Sequence, residues 1–136
     1  MKIKVDVLVN ASLEETWKCF TQPEHIVNWN AASEDWCCPS ARSDLKAGGS
    51  FSYRMEARDG SMGFDFSGKF NEVDFQRHIL ILLDDNRSLE VWFEAVDGGI
   101  RVTEEFETDN MNPPELQQQG WQAILNAYKN YCQSVS

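Results

Sequence analysis

The chain has 136 residues, 42% of them hydrophobic and 25% charged, the proportions of a folded globule rather than of a disordered chain. Its 22 acidic against 12 basic residues leave a formal net charge of −10, which excludes nucleic acid and anionic membrane surfaces as partners. The opening MKIKVDVLVN interleaves charges with apolar residues, so it is neither a signal peptide nor a membrane span, and 4 cysteines are too few for a disulfide scaffold. One domain over residues 1–136, cytoplasmic and with reduced thiols, is expected.

Lys2 to Val9 alternates, with Ile3, Val5, Val7 and Val9 on one face, as in a half-buried strand. Ser12 and Glu15 form a capping-box signature, and Leu13, Trp17 and Phe20 follow at helical spacing. Thr21 is expected to cap a second short helix, with Pro23 near its start and Trp29 near its end. Asn30 to Arg42 has no clear period and is expected to be an ordered loop; Ser43 to Ala47 is expected as a short strand before Gly48-Gly49.

A meander follows. Phe51, Tyr53 and Met55 share a face, and Asp59-Gly60 signals a hairpin turn. Phe64, Phe66, Gly68 and Phe70 share the next face, and Gly68 inside a strand suggests a bulge or bend. His78 to Leu83 is nearly all apolar, and Asp84 to Arg87 turns the chain. Leu89, Val91, Phe93 and Ala95 then alternate with Glu90, Trp92 and Glu94. After Asp97-Gly98-Gly99, Ile100, Val102, Glu104 and Phe106 share one face.

The acidic stretch Thr108 to Asn112 leads into a long helix, for which Asn112 is the expected cap and Pro113 the first residue. Leu116, Trp121, Ile124, Leu125, Tyr128, Tyr131, Cys132 and Val135 form its apolar stripe. No other helix of that length is expected, so its broad stripe needs a sheet as partner. The predicted fold is α+β, in the order β-α-α-β-β-β-β-β-β-α, with an antiparallel twisted sheet gripping the long carboxy-terminal helix.

Local phrases add to that order: Ala11 and Trp17, Gln22-Pro23-Glu24-His25 with Trp29, Leu45 with Ala47-Gly48-Gly49 and Phe51, Asp59-Gly60, Gly68, Thr103, and Gly120-Trp121 with Leu125. Together they resemble the START/Bet v 1-like (SRPBCC) superfamily with its helix-grip fold, and within it the branch of the activator of Hsp90 ATPase carboxy-terminal domain. The resemblance implies a small-molecule cavity between sheet and long helix. The eukaryotic activator has a further amino-terminal domain important for its activity; this chain starts at the first strand, so Hsp90 activation is not expected of it.

Projecting the inward faces onto that fold gives the expected walls of a ligand cavity. Phe51, Tyr53 and Met55 come from one strand, Phe64 and Phe66 from the next, and Val91 and Phe93 from a third. Val102, Glu104 and Phe106 come from the last strand, and Trp121, Leu125 and Tyr128 from the helix, while Trp17, Trp29 and Trp36 surround the mouth. Glu104 stands out, because it lies on the apolar parity of its strand, where an unpaired carboxylate is costly and burial raises its pKa.

His25 and His78 have no carboxylate at triad-like spacing, and Cys37-Cys38 lacks the companions of a zinc site. Gly48-Gly49 is no phosphate loop. No metal or cofactor is expected. The expected function is binding of a small apolar or amphipathic molecule, oriented by Glu104 and Tyr53. Two alternatives are a cyclase or isomerase using Glu104 or a tyrosine for proton transfer, and a co-chaperone-like interaction module with an exposed apolar patch such as Trp92.

Overall fold

A computed structural model describes residues 1–136. In chain order the elements are β1 (Lys2–Val9), α1 (Leu13–Thr21), α2 (Pro23–Ile26), β2 (Trp36–Ser43), β3 (Ser50–Ala57), β4 (Gly63–Asp74), β5 (His78–Leu83), β6 (Ser88–Val96), β7 (Gly99–Glu107) and α3 (Pro114–Val135). This is the predicted helix-grip order. The strands form one antiparallel 7-stranded sheet in the order β1-β7-β6-β5-β4-β3-β2. Six strands follow one another as a meander, and β1 joins the far side of β7, with Lys2 opposite Glu107 and Val9 opposite Ile100.

The alternation read from the sequence sets the faces. Val5, Val7 and Val9 of β1 are buried beside Ile100, Val102 and Phe106 of β7, while Lys4 and Asp6 are exposed. Gly60 and Gly98 hold φ of +77° and +90° in two of the hairpin turns, a region that other residues enter only at a cost. From α3, Leu125, Tyr128 and Cys132 enter the core, each apolar side chain contributing about 1.5–3 kcal/mol by its burial.

The long helix does not close the sheet alone. Trp17 of α1 meets Phe93 of β6 edge-on at 5.0 Å, and Phe20 lies 5.5 Å from Phe93 and 5.3 Å from Tyr128. The two short helices thus fill one end of the sheet's inner face, and α3 crosses the rest.

Several local expectations are corrected. Asn30 to Arg42 is not all loop: β2 pairs with β3 from Trp36 to Ser43, and its period is hidden by a register shift between Cys37 and Ser40, around Pro39. The strand expected over Ser43 to Ala47 is absent beyond Ser43, because the chain turns there towards Gly48. Thr21 does not cap α2, since its hydroxyl donates to the Trp17 carbonyl at 2.7 Å.

Gly68 does not itself form a bulge; the register shift falls between Phe70 and Glu72. Gly68 instead allows close approach, as a β-carbon there would lie 2.5 Å from the Leu82 carbonyl oxygen. α3 begins at Pro114, and Asn112 offers its carbonyl to Gln117 rather than capping. Leu116 and Val135 lie at the helix ends and are exposed, beyond the sheet that covers the middle of the stripe.

Candidate functional site

Between the β3–β4 side of the sheet and α3 the structure leaves a cavity of about 300 Å³. Met55, Phe64 and Phe66 line it from the strands, and Trp121 and Ile124 from the helix. Its wall is an aromatic ladder: Phe66 lies 6.4 Å from Tyr53 and 6.0 Å from Trp121, and Trp121 stacks on Phe106 at 4.4 Å. Tyr53, Phe66, Trp121 and Ile124 are only partly buried, although all are attached to the core. Phe64 is half exposed on the rim, its ring 6.0 Å from that of Trp36.

Polar groups punctuate this wall. Asn30, buried at the end of the α2 segment, directs its amide nitrogen at the Met55 sulfur, 3.4 Å away, and the Cys38 sulfur at 4.0 Å. Sulfur is a weak acceptor, so the amide is poorly satisfied. Opposite, Arg87, Asp109 and Gln117 form a polar edge. Arg87 is engaged by Asp85 at 2.7 Å and by the Glu107 carbonyl at 3.3 Å. Gln117 is buried, donating to the Asn112 carbonyl at 2.7 Å and accepting from the Asp109 N–H at 2.9 Å, which ties the start of α3 to the loop before it.

Glu104 is where its parity put it: inward, 7% exposed, with Val5 and Val91 as its cross-strand neighbours. Burial alone raises its pKa to about 8, with no hydrogen bond or neighbouring charge contributing. Its oxygens are nevertheless not sealed. Among side-chain oxygens and nitrogens wholly closed off from water, only Ser43 Oγ lacks a partner, so the unpaired Glu104 carboxyl keeps a little accessible surface. Tyr53 is similar: burial pushes its hydroxyl pKa up, and no hydrogen bond relieves it.

The expected wall residues therefore divide. Met55, Phe64, Phe66 and Trp121 line the cavity; Tyr53 and Phe106 stand against the lining rings Phe66 and Trp121, and Glu104 is not among the lining residues. Phe51, Val91, Phe93, Val102, Leu125 and Tyr128 are solid core, the Tyr128 hydroxyl donating to the Thr16 carbonyl at 2.7 Å. Of the three tryptophans expected at the mouth, Trp36 stands beside the rim residue Phe64, while Trp17 and Trp29 are buried. Trp17 is core against Phe93, and Trp29 donates its indole N–H to the Cys19 carbonyl at 2.8 Å. Trp36 borders a shallower hollow beside Asn30 and Cys37.

Asn30, Arg87, Asp109 and Gln117 were not anticipated. Gln117 had a signal, since it stands one helical turn before Trp121 on the same stripe. The two histidines are structural: His25 Nδ1 lies 2.7 Å from the Tyr131 hydroxyl, joining α2 to α3, and His78 Nε2 lies 2.8 Å from Glu90 on the outer face. Trp92 on that face is half-buried, with the Lys4 ammonium 5.7 Å from its ring and the His78 ring at 5.6 Å. No helix is long and apolar enough to cross a membrane.

Chemically, the cavity can hold an apolar body against aromatic rings and offers a few polar contacts around it. That arrangement of sheet and helix has known counterparts. The solution structure of an AHSA1-like protein from Aeromonas hydrophila superposes with a TM-score of 0.93 at 38% identity, covering 99% of this chain and 94% of that one. A protein from Cytophaga hutchinsonii matches at 42% identity and a TM-score of 0.85, over 98% of this chain and 93% of that one. The crystal structure of a Nitrosomonas europaea protein shares the fold, with a TM-score of 0.83 at 18% identity over 99% of this chain and 96% of that one. No curated protein matches the chain. The profile of the family described as activator of Hsp90 ATPase homolog 1-like protein matches residues 10–133, and to that family, within the SRPBCC superfamily, this chain belongs.

Proposed function

We propose that the protein binds a small amphipathic molecule between the sheet and α3, its apolar body against Phe66, Trp121 and Ile124. The observation that carries this reading is the cavity of about 300 Å³, walled by partly exposed rings that a solid core would have closed. Burying about 200 Å² of ligand apolar surface there gains roughly 5 kcal/mol before ordering costs, which corresponds to a Kd of about 0.2 mM at best without good polar contacts. Binding of small ligands is common in this fold family, which fits the reading.

The test is a titration with N-phenyl-1-naphthylamine, a neutral apolar fluorophore. Saturable one-site enhancement is expected for the natural protein. Ile124→Trp, which fills the cavity from the helix side, is expected to abolish it while the melting temperature is kept. Absence of saturable binding by the natural protein, together with no co-purified small molecule in native mass spectrometry, refutes the proposal.

A second reading, proton transfer on a bound substrate, is favoured by one observation. Glu104 is a buried, unpaired carboxyl with a pKa of about 8, close to the working range of a general acid or base. Under that reading Glu104→Gln retains a bound molecule that the natural protein converts. The same bound species in both proteins refutes it.

A further inference from the structure

The polar side chains on the cavity wall are unequally satisfied. Gln117 uses its amide to tie α3 to the loop before it. Arg87 is held by Asp85 and the Glu107 carbonyl, and the Asp109 carboxylate accepts the N–H groups of Met111 and Asn112 at 2.9 and 3.1 Å. Asn30 differs from these three. It is 9% exposed, its amide nitrogen meets only the sulfurs of Met55 and Cys38, and its side-chain oxygen accepts no hydrogen bond within the fold. That oxygen is not sealed, because Ser43 Oγ is the one closed-off side-chain oxygen or nitrogen without a partner.

Asn30 is also fixed in place. Its backbone N–H donates to the Ile26 carbonyl at 3.1 Å, and the indole of the preceding Trp29 is pinned to the Cys19 carbonyl. The residue stands between the cavity and the shallower hollow beside Trp36, lining both. Met55, whose sulfur is the nearer of the two at 3.4 Å, itself lines the cavity, so the amide N–H is aimed at the cavity wall. A buried amide that exchanges water for sulfur forgoes most of a hydrogen bond. A ligand oxygen at that wall restores it, and the unbranched Met55 side chain is able to move aside.

Resting on the cavity reading above, we infer that Asn30 is the specificity-determining residue of the cavity, its carboxamide taking a carbonyl or hydroxyl oxygen of the ligand in place of the Met55 sulfur. A carbonyl accepts the amide N–H; a hydroxyl accepts it and also has a proton to donate to the free amide oxygen. Because the side chain is already buried and its backbone already fixed, little of it has to be ordered on binding. The apolar body of the ligand then lies along the wall of Phe66 and Trp121.

Propylbenzene, propiophenone and 1-phenyl-1-propanol share one carbon skeleton and carry no oxygen, a carbonyl and a hydroxyl respectively. Their Kd values are measured by displacement of N-phenyl-1-naphthylamine. An oxygen stripped of water and left unpaired costs affinity, so an apolar cavity alone would favour propylbenzene. On the natural protein the better of the two oxygenated probes is expected to bind at least as tightly as propylbenzene, and which of them it is tells a carbonyl ligand from a hydroxyl one. Asn30→Leu keeps the size of the side chain and removes its hydrogen-bonding groups. In that variant the ratio of the propylbenzene Kd to that of the better oxygenated probe is expected to fall at least about tenfold, about 1.4 kcal/mol. In isotopically labelled natural protein the Asn30 side-chain amide protons are expected to move further downfield with that probe than with propylbenzene.

The affinity order and the amide resonance are read on the natural protein, so they decide even where the variant fails to fold. Propylbenzene binding more tightly than both oxygenated probes overturns the inference and leaves the cavity reading standing. So does an Asn30 amide resonance that responds alike to all three probes, or an unchanged ratio in folded Asn30→Leu. The inference is likewise overturned if the fluorophore binds and none of the three probes displaces it. If neither the fluorophore nor any probe binds, the cavity reading falls, and this inference with it.

Discussion

Replacing Glu104 by Gln is expected to stabilise the protein, by an amount that depends on pH. In the unfolded chain a glutamate titrates near its ordinary value of 4.5, whereas in the fold the same group holds its proton up to about 8. Between those values the folded state binds more protons than the unfolded one, so stability falls as pH rises through the window. The carboxyl is harmless below the lower value and exerts its full cost above the upper one. Integrating between the two pKa values makes the cost about 1 kcal/mol at pH 5, about 3 kcal/mol at pH 7 and nearly 5 kcal/mol at pH 9.

Gln has nearly the same shape and no charge in either state, so its gain over the natural protein should grow along that series. In urea, about 3 kcal/mol moves the unfolding midpoint by about 1–2 M for a slope near 2 kcal/mol per molar. The assay is urea unfolding of both proteins at the three pH values, followed by tryptophan fluorescence. A difference that is flat with pH, or a variant less stable at pH 7, would show that the carboxyl is paired or solvated in the fold.

Three further outcomes are expected. Gly68→Ala should lower stability by about 2 kcal/mol, because the added carbon meets the Leu82 carbonyl oxygen at 2.5 Å; an unchanged thermal midpoint would contradict that close approach. Tyr128→Phe should cost about 1–2 kcal/mol through loss of the bond to the Thr16 carbonyl, yet leave fluorophore affinity unchanged. A large loss of binding would place Tyr128 in the site rather than the core. Trp29→Phe removes the indole donor to the Cys19 carbonyl and should destabilise by about 1–3 kcal/mol in chemical denaturation, and a neutral result would argue against that buried bond.

Most of the architecture was legible because its signals are local. Strict alternation identified β1, β3, β4, β6 and β7, and the spacing from Trp121 to Cys132 identified the buried side of α3. β2 escaped because a bulge around Pro39 breaks its period, and the sheet edge gives it only one partner strand. The helix start was misplaced by one residue, as two consecutive prolines make either a plausible first position.

Parity alone placed Glu104 on the buried face, between Val102 and Phe106. Trp17 and Trp29 were read as wall residues and are buried in the core, because size and hydrophobicity do not tell one from the other. Asn30, Arg87 and Asp109 carry no periodic signal; they meet only because a turn, a loop and a helix end converge on the same cavity.

The placing of β1 has a consequence for how the chain acquires its structure during synthesis. Within the meander, β3 to β7 can each pair with the preceding strand as they leave the ribosome. β1, made first, has as its strand partner only β7, with Lys2 waiting for Glu107, and its valines are covered only once that strand and α3 exist. Until then it is a short amphipathic strand with an unsatisfied edge, which is where nascent-chain chaperones act and where strays aggregate. Its alternating Lys2, Lys4 and Asp6 keep that waiting strand charged on one face, a gatekeeping pattern suited to a segment that must remain unpaired longest.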